Sequence, residues 1–320
     1  MKKLIAIILT LTMVITTLAA LTSCNFTDED FADPETTAKE ENANNNDANA
    51  ETKTPTYVAI DAVDLIAEDF GIAVKKGNTT LLNMVNEVVN AWVADGTMAK
   101  YVDYYDAIAN GETPDADGLK TSWDFTGATE TITVYTESGF APFEFISDNE
   151  IIGVDIAIMS EVAEKNGMKI EVKDVAFDTI TTCVKTADGY AVGAAGLTIN
   201  EERKAEVDFS DIYYSSTLVV VSSSDKKINS VKDLSGLKVG VQEGTSGDLI
   251  ISDAKAGGYT FTDYDENDNE IEVTITVDGK TTIKQYKAYA LAFADLKAGR
   301  IDAILMDKLP AQIMLANAGN

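Results

Sequence analysis

The chain has 320 residues and a formal net charge of −28, with 53 acidic against 25 basic side chains. Such an excess of negative charge repels polyanions, which excludes nucleic acid and anionic membrane surfaces as partners. With two cysteines and no histidine, the chain offers no ligand set for a transition metal, and no cofactor is expected.

Residues 1–24 have the layout of an export signal. Lys2 and Lys3 give a charged start, Leu4 to Leu18 is apolar, and Leu21-Thr22-Ser23-Cys24 closes it. A small residue before cysteine is a lipoprotein cleavage pattern, which would make Cys24 a lipidated first residue attached to the membrane. A transmembrane helix is the competing reading, because the apolar run approaches spanning length. No second run does, so the remainder is expected to be soluble, and the lipid anchor would hold it outside the cytoplasm, at the outer face of the cytoplasmic membrane or in a periplasm. Residues 25–56 are rich in Asn, Glu, Asp, Thr and Ala. They hold too few large apolar side chains to fold and read as a disordered tether, reaching on the order of 30 Å as a coil. With Cys24 committed to lipid, Cys183 reads as a small buried core residue.

Folded sequence begins near Tyr57, with strands expected over 57–65 and 70–74. Asn78 or Thr79 caps a helix to about Asp95, whose stripe is Leu81, Val85, Val88 and Trp92. Met98, Tyr101, Val102 and Tyr105 give a second helix, and 108–128 has no period and reads as a linker. Strands at 132–135 and 170–172 then alternate with helices at 156–166 and 179–186, the order of an α/β lobe with a mostly parallel sheet. Leu218 to Val221 is a long apolar strand leading out of it. A second α/β run follows: a strand at 238–241, a Gly/Ser/Thr turn at 242–247, and helices at 248–255, 289–298 and 309–316. The strand 303–306 precedes the last helix. Between them, 259–285 alternates Thr, Val and Ile around Asp278-Gly279, a hairpin signal.

The stretch Ala191 to Tyr214 carries the chemistry. Its small residues suit a buried strand, and Gly196 permits a sharp turn or a close approach. Asn200 is a good N-cap, followed by Glu201 and Glu202. Arg203 lies in the same first turn, where a cation opposes the helix dipole. A bound anion would offset that cost by meeting both free amides and the guanidinium fork. The alternative is a surface arginine paired with Glu206 or Asp208.

Several motifs recur together: GFAPFEF (139–145), GVDIAIMSEVAEKNG (153–167), AFDTI (176–180) and GLTINEERKAEVDFSDIYY (196–214). DLSGLKVGVQEGTSGD (233–248) and LKAGRIDAILMD (296–307) complete the set. The chain resembles the extracellular solute-binding proteins of polar amino-acid ABC importers, bacterial family 3. The resemblance implies a two-lobed, periplasmic-binding-protein-like α/β fold of the type II, Venus-flytrap kind. It also implies an amino-acid ligand, a membrane permease as partner, and no enzymatic activity. The segment EDFGIAVKKGNTTLLNMVNEVVNAWVADGT (68–97) is similar to the family's C-terminal end, yet stands first here. The expectation is a circular permutation, with 108–128 joining the family's usual termini. Lobe 1 would then be 70–107 with 129–218, and lobe 2 would be 57–69 with 219–320, giving a monomer. A domain swap and a truncated tandem are the rivals.

Carried over one residue at a time, Arg203 matches the arginine that grips the ligand carboxylate, with Thr198 and Gly196 assisting. Thr245 and Ser246 complete that cage from the other lobe. Asp307 matches the acid for the α-ammonium, its alternative being a helix cap before Leu309. Phe140 and Phe177 match aromatic walls. Glu137 lies where an acid often meets the ligand side chain, which suggests a cationic or amide-bearing ligand, its alternative being a solvated loop carboxylate. Gln242 and Met306 align with variable contacts. Ala191 departs from the family's usual Asp, and the 259–285 hairpin is longer than usual, enough to shift the rim of lobe 2. Two other classes stay in view: a sensor or partner-binding lipoprotein, and a dehydratase-like enzyme, which would need a positioned acid or base.

Overall fold

In the computed structural model the described residues are 56–61, 67–264 and 269–319. The export-signal segment with Cys24, and the tether as far as residue 55, lie outside them. In chain order the elements begin with β1 (Tyr57–Ile60), β2 (Ala67–Phe70), β3 (Ala73–Lys75), α1 (Thr79–Ala94) and α2 (Thr97–Ala109). Next come β4 (Glu130–Thr136), β5 (Gly139–Phe140), β6 (Glu144–Ser147), β7 (Glu150–Ile152), α3 (Val154–Lys165) and β8 (Met168–Asp174). Then follow α4 (Ile180–Thr186), β9 (Tyr190–Gly193), α5 (Glu201–Glu206), β10 (Val207–Phe209) and β11 (Tyr214–Ser223). The last stretch holds β12 (Lys238–Gln242), α6 (Ser246–Ala256), β13 (Tyr259–Tyr264) and β14 (Glu270–Ile275). It ends with β15 (Thr282–Tyr286), α7 (Tyr289–Lys297), β16 (Ala303–Asp307) and α8 (Lys308–Asn317).

Two sheets organise two lobes. The first has the order β10-β3-β9-β4-β8, with β4 parallel to β8 and β9, and β3 antiparallel to β9 and β10. The second has the order β1-β11-β16-β12-β15, with β2 also paired to β11. Within it β12 runs parallel to β15 and β16. Asn78 caps α1 as its spacing requires, its side chain accepting from the Leu81 amide. The stripe Leu81, Val85, Val88 and Val89 is fully buried, with α1 packed against α2 and α3. Each such aliphatic side chain withdrawn from water contributes on the order of 1.5–3 kcal/mol. Cys183 is buried in α4. Among the described residues, no helix is long and apolar enough to cross a membrane.

Two strands cross between the lobes. The chain passes from β2, beside β11, into β3 in the first sheet, and returns from β10 into β11. Backbone bonds lace the crossing: Ser210 N–H to the Ile72 carbonyl at 2.9 Å, and Tyr213 N–H to the Phe70 carbonyl at 3.1 Å. Gly71 sits at the bend, where a Cβ would approach Ile199 Cδ1 to 2.8 Å. The single strand expected over 70–74 is therefore broken there, because the chain changes sheets.

Two further expectations change. The Asp278-Gly279 turn is not the hairpin tip: β13 pairs with β14, while Thr282–Tyr286 joins the second sheet beside β12. The alternation of Thr, Val and Ile hid two different pairings in one run. The segment 110–129 lacks regular structure but is docked on α3. Trp123 Nε1 donates to Glu161 at 2.9 Å, the Asp124 amide donates to Glu164 at 2.6 Å, and Lys120 pairs with both acids.

Candidate functional site

The cleft between the lobes closes on a cavity of about 10 Å³. All ten residues singled out as ligand contacts line it, together with Glu68, and they come from both lobes. Met306 is not among them. It is 1% exposed in the core of the second lobe.

Local geometry explains the first side of the site. The backbone leaves β9 and turns at Gly196, where φ is +53° and a Cβ would lie 2.5 Å from the Phe140 ring. The Gly196 amide donates to Asp155 Oδ2 at 3.0 Å. Asn200 caps α5, its side chain accepting from the Arg203 amide at 2.8 Å. Arg203 is 8% exposed, and its guanidinium donates to the Thr198 carbonyl at 2.8 Å and to the Gly244 carbonyl at 3.0 Å. It lies 5.3 Å from the centre of the Phe177 ring. The surface-arginine alternative is overturned, because Glu206 pairs with Lys185 and Asp208 accepts from the Gly77 amide. A guanidinium held by two carbonyls from opposite lobes keeps its charge inside the cleft.

The second side comes from β12, α6 and β16. Thr245 is the N-cap of α6, its hydroxyl accepting from the Asp248 amide. The Ser246 hydroxyl donates across the cleft to Thr198 Oγ1 at 3.0 Å. Gln242 Nε2 donates to Glu137 at 3.0 Å and to the Lys287 carbonyl at 2.9 Å. Asp307 holds the N-cap position of α8 but makes no side-chain cap bond. Its carboxyl instead accepts from Ser216 Oγ at 2.6 Å and is 6% exposed. The position of a cap and the orientation of a site residue are thus both present.

Phe140 packs on Phe143 at 5.7 Å and on Tyr289 at 6.4 Å between ring centres, so it is core and cavity wall at once. Burial raises the Glu137 carboxyl to about 6, against the Gln242 amide that favours its charged form. The solvated-loop alternative for Glu137 is overturned by that bond. Burial also pushes Asp307 well above the ordinary carboxylate range, with the Glu68 charge adding to it and Arg203 opposing.

Glu68 in β2 was not singled out from sequence. It is 3% exposed and accepts from Thr198 Oγ1 at 3.3 Å. No local signal marked it, because its hydrogen-bond partner Thr198 stands 130 positions further along. A second cavity of about 300 Å³ adjoins the first, sharing Glu68, Thr198 and Ser246 and reaching Tyr259 on β13.

Comparison with known proteins gives this arrangement a family. Residues 132–307 match the family model described as bacterial extracellular solute-binding proteins, family 3. The chain is 40% identical over 110 residues to the arginine-binding extracellular protein ArtP of Bacillus subtilis, covering 34% of this chain and 43% of that one. It is 30% identical over 181 residues to a putative ABC transporter arginine-binding protein 2 of Escherichia coli, covering 56% and 64%. The chain thus spans less than two thirds of either relative. A solved ancestral arginine-binding protein bound to arginine is 32% identical with a TM-score of 0.50, covering 60% of this chain and 76% of that one. The chain belongs to the bacterial extracellular solute-binding proteins of family 3.

Proposed function

We propose that the protein captures a polar amino acid between its two lobes and delivers it to an ABC importer permease. A lipid on Cys24 would hold it outside the cytoplasm. The observation that carries this reading is the meeting, in one interlobe cavity, of buried Arg203 with buried Glu68 and Asp307. Arg203 would take the α-carboxylate, helped by the hydroxyls of Thr198 and Ser246 and the Gly196 turn. Asp307 would take the α-ammonium. Such charge-assisted contacts gain strength where water is excluded. A cavity of about 10 Å³ holds at most one water, so entry requires the lobes to part about the two crossing strands. Glu137 and Gln242 at the far end favour a cationic or amide side chain. The relatives named for arginine, histidine and glutamine support the same class. No chemical step is assigned to the site, since its carboxyls are engaged in recognition.

The test is a thermal-shift screen of the purified protein against the twenty amino acids, ornithine and cystine, followed by calorimetry on any hit. Stabilisation by a basic or amide amino acid with one-to-one stoichiometry is the expected outcome. No shift with any of them would sink the reading.

We further infer that the chain is a circularly permuted member of its family. Supporting this, β1 and β2 pair with β11, and β3 pairs with β9 and β10, so the early segment completes both lobes of the same chain. The docked segment 110–129 supplies the connection that joins the usual termini.

A further inference from the structure

Glu68 and Asp307 reach the cavity from neighbouring strands. Glu68 on β2 stands opposite Ser216 on β11, and Ser216 Oγ donates to Asp307 on β16. The Glu68 carboxyl accepts from Thr198 Oγ1 at 3.3 Å and lines the same cavity as Ser246 and Asp307. Both carboxyls thus line one cavity of about 10 Å³, and among the described residues Arg203 is the only cation lining it. The charge of the pair is felt by Glu144, Tyr214, Tyr259 and Tyr289, and Glu137 lines the same cavity; none of these groups can supply positive charge. Two buried carboxylates against one guanidinium leave an uncompensated negative charge.

We propose that Glu68 and Asp307 act as one acid pair, which holds a single proton between the lobes and gives it up to solvent when a ligand ammonium takes its place. The proposal rests on amino-acid capture as described above and adds a proton to the exchange. Burial acts in the same direction, raising Glu68 from its ordinary range. The proton belongs to the pair and to neither residue alone. Capture is therefore coupled to pH: below the titration of the pair, the proton competes with the ligand and affinity falls tenfold for each pH unit. Glu68 becomes a ligand-contacting residue in this scheme, a second carboxylate at the ammonium end.

The full chain is titrated with L-arginine, L-histidine and L-glutamine by calorimetry near neutral pH, in buffers of low and high ionisation enthalpy. About one proton released per bound ligand is expected. Glu68→Gln should bind with release reduced to near zero and with a flatter pH profile. No release by the natural protein, or equal release by Glu68→Gln, overturns the proposal while capture stands. If none of the three amino acids binds, capture itself fails for these ligands. The pair is then judged by carbon-13 titration of the carboxyls in the ligand-free chain. A carboxyl that still titrates at neutral pH and is lost in both Glu68→Gln and Asp307→Asn supports the pair; a natural protein without one, or a signal that both variants keep, overturns it.

Discussion

At the scale of single residues, the site is built from charges that water cannot reach. Arg203 ties the lobes together through the Thr198 and Gly244 carbonyls. Truncating a buried charged partner of a ligand costs about 2–5 kcal/mol, so Arg203→Ala should weaken amino-acid binding by at least about thirtyfold. Far-ultraviolet circular dichroism should remain native, and calorimetry with unchanged affinity would remove Arg203 from the site. Asp155 is another buried acid, fully enclosed and joined to the Gly196 turn. Burial raises it from 3.8 to about 7, against the Tyr213 hydroxyl and the Gly196 amide. Its sign follows from linkage: below 3.8 the acid is neutral in both states, so nothing is lost. As pH rises toward 7 the unfolded chain ionises while the folded one resists, and stability falls. Asp155→Asn keeps an acceptor for the Gly196 amide and cannot ionise. It should melt higher than the natural protein at pH ~8, by about 2–4 °C per kcal/mol recovered, and at the same temperature as the natural protein at pH ~4. Melting curves that differ equally at both pH values would refute the ionisation account.

At the scale of elements, local signals placed the helices and their caps correctly wherever one short stretch decides the outcome. Asn78 and Asn200 each accept the amide three positions on, as cap chemistry requires, whereas α6 starts two residues before the expected 248, with Thr245 as its cap. The signal failed where one stretch serves two partners. The run around 259–285 divides between a hairpin and a parallel edge strand, and 67–75 divides between two sheets. The segment 110–129 offered no period because side-chain anchoring, not backbone regularity, holds it. Trp123 and Lys120 fix it to Glu161 and Glu164 of α3. Trp123→Ala should therefore expose this segment to proteases, with cleavage confined to 110–129. Because β1, β2 and β3 are laced into both sheets, the two fragments should stay associated and retain amino-acid binding. Fragments that separate on a sizing column would show that the connection itself, not strand pairing, holds the early segment.

At the scale of the whole molecule, the early segment and the rest form one body, with Thr54–Asn320 a single compact unit. A permuted monomer should scatter light as one chain and bind one ligand per chain. A dimer that dissociates only on unfolding would instead indicate exchange of 57–109 between copies. By itself the sequence determined the family, the alternation of strands and helices, the Asn78 and Asn200 caps and ten residues of the cavity lining. These are properties of short windows: an apolar period, a cap, a turn glycine, a motif. The tertiary structure alone decided which acid stands opposite which. Glu68 shares a cavity with Thr198, Ser246 and Asp307 only because β2 crosses between lobes and pairs with β11, bringing together residues 130 or more positions apart. It alone also decided that Asp307 turns to Ser216 and not to its own helix, and that Arg203 is buried and not on the surface. Charge at a buried site depends on what surrounds it in space, and no window along the chain contains those neighbours.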